Sequence, residues 1–234
     1  MTMRNWLLSA AAMTMVMAGA ARAAETAPAA AQAAAAPDTI TCGSPIAWDA
    51  TEETVKAQFG AGNVTYMDLG GPEGTEMYGT RVFAKDAKKT FDIVWTDEEK
   101  RAKPAVINVN PVWSEDGETA SMPEWKSPEG IHLGMPIEEV EKINGKPFKL
   151  YGFGWDYGGT PTSWEGGKLE PAADAKCSTS IVFSDSGDAT HESVLGEGEI
   201  MSNGKDTLKA KPTVGRFSVY YVREDAAAPA AETP

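Results

Sequence analysis

The sequence predicts an α+β fold of two similar halves, each a short helix followed by an antiparallel sheet of about four strands. Three observations lead there. Two helix-like segments share their landmarks at an offset of 85 residues. Each is followed by about four strand-like runs. The best-patterned of those runs, TFDIVWT and RFSVYYV, read as strands by alternation and by β-former content.

Taken in order, residues 1–23 read as a secretory leader: Arg4 supplies the charged start, Trp6 to Ala20 is an apolar run of 15, and Ala21-Arg22-Ala23 fits a small-x-small cleavage site. The run is shorter than the ~18 or more residues of a membrane span. Residues 24–37, with nine alanines in fourteen, read as a disordered linker, and 225–234 as a disordered tail, because neither holds enough apolar surface to offset ordering entropy.

The first half is placed at 38–126. Its helix is expected in DATEETVKAQFG, with Asp49 as N-cap, Glu52 completing a capping box, Val55 and Phe59 on one face, and Gly60 as the stop. Strand-like runs follow at 63–69, 75–84, 90–96 and 104–112; in the third, Phe91, Ile93 and Trp95 alternate with polar positions, and KDAKK at 85–89 supplies the turn before it. The second half is placed at 127–224. Its helix is expected in MPIEEVEKINGKPF: Pro136 suits the first turn, Glu138 and Glu139 the positive end, Val140 and Ile143 the apolar face, and Gly145 the C′ position. Runs follow at 148–157, 160–169, 177–184 and 214–223. Val55 to Gly60 repeats as Val140 to Gly145, and a Ser-Pro pair precedes each helix, at Ser44-Pro45 and Ser127-Pro128.

Cys42 and Cys177 are the two cysteines, and in an exported chain an even count favours a disulfide between them. Cys42 follows no lipobox-like pattern. Two cysteines and two histidines cannot build a Cys₄ or multi-His zinc site. With 21 Lys and Arg against 34 Asp and Glu the formal charge is −13, which offers no general footprint for nucleic acid or an anionic membrane surface and favours a basic partner.

The stretch GIHLGMPIEEVEKINGKPF, Gly130 to Phe148, resembles a G-x-x-x-G-M-x-x-x-E-V-x-x-x-x-G-x-P opening found in the outer-membrane assembly lipoproteins and in modules of the β-lactamase inhibitory protein-like fold. GFGWDYGG followed by SWEGGKL is similar to secreted bacterial proteins of unknown function that carry this opening. The resemblance implies a helix packed on an antiparallel sheet, in tandem, and a non-enzymatic module that binds other proteins. It covers about 40 residues of the 234 in specific terms. The chain departs from it in having one helix per half, where the inhibitor fold has two, and in lacking a lipid-bearing cysteine. No catalytic or binding residue carries over.

The most unusual local feature is LYGFGWDYGG. As a strand it would place Tyr151, Phe153, Trp155 and Tyr157 on one face, either as core or as a binding platform, with Trp164 able to extend it. Phe153 and Trp155 suit the core; Trp155, Asp156, Tyr157 and Trp164 are the candidate partner-binding residues. Asp156 and Glu165 would have to meet across a hairpin to serve a glycosidase-type reaction. Asp185, Asp188, His191 and Glu192 fall within eight residues, but in the composition of a solvated loop rather than an ordered cation loop. His132 reads as structural. The glycine-rich segments lack a phosphate-loop lysine, and no G-x-S-x-G elbow occurs. The sequence therefore assigns no catalytic residue, metal or cofactor. It favours a periplasmic or secreted binding module for an envelope or secreted protein, with no nucleic acid and no stable membrane insertion after leader removal. A periplasmic hydrolase for glycan or peptide, and a structural envelope or stress protein, are the alternatives.

Overall fold

A computed structural model describes residues 38–71, 74–114, 117, 120–185 and 192–222. The stretches read above as leader, linker and tail lie outside these residues. The fold is α+β with predominantly antiparallel pairing.

Helix α1 spans Glu52–Phe59 and helix α2 spans Ile137–Asn144. The cap of α1 is Thr51, not Asp49. The Thr51 hydroxyl accepts from the Thr54 N–H at 3.3 Å, and the Thr54 hydroxyl accepts from the Thr51 N–H at 2.9 Å. Glu52 is unavailable for capping because its carboxylate turns inward. Its oxygens accept from Arg101 at 3.0 Å and from the buried Thr80 hydroxyl at 3.2 Å, and it also pairs with Lys56. Pro136 stands in extended backbone just before α2, and Gly145 ends that helix in the left-handed region at φ 84°.

Strands β1 (Val64–Asp68), β2 (Tyr78–Val82), β3 (Phe91–Asp97) and β4 (Ala102–Val109) form an antiparallel meander. A short hairpin follows, β5 (Val112–Trp113) with β6 (Ala120–Ser121). Beyond α2 come β7 (Lys149–Tyr151), β8 (Pro161–Ser163), β9 (Cys177–Ser184), β10 (Glu199–Met201), helix α3 (Lys205–Ala210) and β11 (Thr213–Tyr221). The main sheet has six strands in the order β1-β2-β3-β4-β11-β9, and β10-β7-β8 form a separate three-stranded sheet. The meander thus stays local, while β11 inserts between β4 and β9. The strands after α2 divide between two sheets, whereas the first four after α1 enter one and β5 and β6 pair apart from it.

The period-2 pattern decides which face is buried. Phe91, Ile93 and Trp95 point inward, joined by Ile107 and Val109, Phe217 and Val219, and Ile181 and Phe183 on the neighbouring strands. Val55 of α1 and Ile137 and Val140 of α2 complete this core. Both helices start from the sheet. Thr51 bridges Ala102 at the head of β4, and Pro136 bridges Thr213 at the head of β11. Cys42 and Cys177 form a disulfide with Cα atoms 5.8 Å apart, joining the entry segment to the head of β9. Among the described residues no helix is long and apolar enough to cross a membrane.

Candidate functional site

The site is built where β7 gives way to an irregular loop. The expected strand over 148–157 stops at Tyr151. Gly152 N–H donates to Gly198 O at 2.8 Å, and a Cβ on Gly152 would lie 2.5 Å from the Gly196 carbonyl oxygen, so only glycine fits against that backbone. Gly154, at φ 83°, then turns the chain. The alternating face is therefore lost. Phe153 is buried, Trp155 is half-buried rather than core, and Asp156 and Tyr157 are exposed.

The aromatic rings still meet, by a different route. Tyr151 and Trp155 pack edge-on with centroids 5.1 Å apart, and Trp155 and Tyr157 do the same at 5.3 Å. The Trp155 indole N–H donates to Gly152 O at 3.0 Å, locking the central ring. Tyr157 stands at the end of this ladder, 60% exposed. The loop closes against β9: Phe183 N–H donates to Gly159 O at 2.9 Å. Gly159 sits at φ 74°, and a Cβ there would approach the Phe183 carbonyl oxygen to 2.0 Å.

Trp164 lies apart from the ladder. It packs on Phe148 with centroids 4.8 Å apart and is half-buried. Its exposed side contributes to two adjoining recesses of about 310 and 360 Å³ along β9, which share Trp164, Pro171, Ser178, Thr179 and Ile181. The residue that sets this wall was not singled out by the sequence. Asn144, the buried last residue of α2, donates through Nδ2 to Trp164 O at 3.0 Å and to Lys146 O at 2.9 Å, and its Oδ1 accepts from Leu169 N–H at 3.1 Å. A polar residue beside a helix-ending glycine was the available signal. On the far side, Glu129 Oε2 accepts from the Thr179 hydroxyl at 3.1 Å and from the Ser127 hydroxyl at 2.7 Å.

Asp156 and Glu165 share no contact. Glu165 instead accepts from the Ser163 hydroxyl at 2.9 Å and faces Lys149 at 3.8 Å. The His132 ring Nδ1 lies 2.9 Å from Leu133 O. Asp188 and His191 lie outside the described residues, and among those described no group of three or more His, Cys, Asp and Glu is placed to hold a metal ion. No protein-family model matches the chain, and neither a curated protein nor a solved structure gives a significant match.

Proposed function

We propose that this chain is an exported, periplasmic or secreted, non-enzymatic binding module that recognises another envelope or secreted protein through the loop carrying Trp155, Asp156 and Tyr157, with Trp164 in the groove along β9. The observation that carries this reading is the Tyr157 ring, 60% exposed yet braced through Trp155 to Tyr151. A held aromatic offers contact area at little entropic cost, which is the chemistry of interface anchors. The formal charge of −13 favours a basic partner and speeds encounter at low salt. The Cys42–Cys177 disulfide and the leader-like N-terminus fit an oxidising destination.

Two similar halves form part of the same proposal, and the helix registers support them. Thr51 and Pro136 precede the helices at the same 85-residue offset as Val55 and Val140, and as Gly60 and Gly145. The resemblance of Gly130 to Phe148 to envelope modules supports a tandem binding architecture of that kind.

The test is cross-linked capture from envelope extract with the chain from Ala24 onward, beside Tyr157→Ala. Tyr157 is chosen over Trp164 because truncating Trp164 would strip packing from Phe148. A protein captured by the parent and lost with the variant supports the reading. Equal capture by both removes Tyr157 from the interface, and no reproducible partner counts against the binding module itself.

A further inference from the structure

The outward face of the main sheet carries a row of polar side chains in register. Thr65 of β1 pairs with Arg81 of β2, Arg81 with Asp92 of β3, Asp92 with Asn108 of β4, Asn108 with Ser218 of β11, and Ser218 with Ser180 of β9. Beside Arg81, Asp92 and Asn108 in the middle of this row, the segment leading into β5 walls a recess of about 170 Å³. Arg81, Thr90, Asp92, Asn108, Asn110 and Trp113 line it.

The valences left in this recess define what it can hold. Arg81 Nε and Nη2 donate to the two oxygens of the buried Asp92 at 2.7 and 2.9 Å. That fork cancels the charge and, among the described residues, leaves Nη1 and the second carboxylate lone pairs unspent. Asn108 Oδ1 accepts from the Ser218 hydroxyl at 2.7 Å, which points its amide hydrogens elsewhere. The Asn110 amide has no hydrogen-bond partner among the described residues. Thr90 is buried, and its hydroxyl is one of two buried side-chain oxygens there without a partner. Beside these groups Trp113 is 63% exposed, a flat apolar surface with no role in the core.

From this geometry we infer that the recess is a binding site for one uncharged sugar ring. An anion gains nothing from an arginine already neutralised by Asp92 in a chain of charge −13. A cation finds the charge of its one carboxylate already neutralised by Arg81. A pair of neighbouring ring hydroxyls, each both donor and acceptor, matches Nη1 of Arg81, the Asp92 oxygens and the two asparagine amides, while the C–H face of the ring lies on Trp113. The volume corresponds to about six waters at ~30 Å³ each, which suits a single ring and excludes a folded peptide. This site is independent of the Tyr157 loop.

The test is saturation-transfer NMR on the chain from Ala24 onward with three probes: the methyl β-glycosides of glucose, galactose and N-acetylglucosamine. Transfer to at least one is expected. Trp113→Ala should weaken it about tenfold, the effect of losing one stacked face. Asn110→Ala is the second variant, since its amide makes no hydrogen bond among the described residues that the change would break. Near-UV circular dichroism confirms that each variant keeps its fold. No transfer to any probe, or transfer unchanged in both variants, overturns the site and leaves the recess to water.

Discussion

Removing the Cys42–Cys177 bridge should destabilise the protein while leaving its native architecture in place. The bridge spans 135 residues. In the chain-entropy description a closed loop of that length restricts the unfolded ensemble by roughly 5 kcal/mol, an upper figure because real unfolded chains are already compact. Native contacts that hold the entry segment do not depend on the sulfurs. Ile40 and Ile46 are fully buried, the Tyr221 hydroxyl donates to Ile46 O at 2.7 Å, and Trp48 packs edge-on against Tyr221 at 4.9 Å. The loss should therefore lie in the unfolded state, at about 3–5 kcal/mol. The assay is equilibrium urea unfolding of the wild type, of the wild type with reductant, and of the Cys42→Ser/Cys177→Ser chain, followed by tryptophan fluorescence. With m of about 2 kcal/mol/M, the midpoint should fall by roughly 2 M in both reduced forms, with near-UV circular dichroism in water unchanged. A midpoint shift under about 0.5 M at constant m would refute the reasoning, because the bridge would then constrain nothing that other contacts leave free.

Two further outcomes are expected. Glu52→Gln should cost about 1–3 kcal/mol, since Lys56 and Arg101 keep access to water and only charge-assisted bonds are lost. Burial opposes ionisation of Glu52, but hydrogen bonds and charge from Lys56 and Arg101 outweigh it and hold the carboxyl below its ordinary value of 4.5. Its contribution is therefore whole above that value and lost as the pH falls through the lower folded one, so the wild-type advantage over Glu52→Gln in urea unfolding should shrink below about pH 4.5. Asn144→Ala breaks three hydrogen bonds that fix the Trp164 wall and should cost about 3 kcal/mol. Hydrogen exchange should show the loss concentrated at Lys168 and Leu169, and uniform loosening of the whole chain would count against the assignment.

Local chemistry made much of the fold legible. The two helices announced themselves by glycine stops and by glutamates in the first turn, and TFDIVWT by large apolar residues at every second position, Phe91, Ile93 and Trp95. The error at α1 came from competition: Asp49 and Thr51 both have capping chemistry, and the choice fell to Thr51 because Glu52 is held by Arg101, 49 residues away in sequence. The aromatic run misled for a related reason. Alternation is a strand signal only while the backbone stays extended, and Gly154 ends that condition, so the rings gather through a turn instead of along a face. Helix α3 escaped notice because KDTLKA is too short to show a period. Neither the insertion of β11 between β4 and β9 nor the polar row across five strand pairings follows from any local pattern, since register between distant strands is decided by packing.

The place of β11 also imposes an order of assembly. In a chain that forms from its N-terminus, the meander β1–β4 can close on itself, and Cys42 and Cys177 are both present before Thr213–Tyr221 arrives. At that stage β4 and β9 have no strand between them, and each offers an open edge able to recruit a stranger. The sheet is completed only when β11 docks against both at once, so a growing chain stays extensible until late in its synthesis and then locks. Truncation before Thr213 should accordingly yield a product that oxidises yet aggregates, the biography of a protein whose keystone is set last.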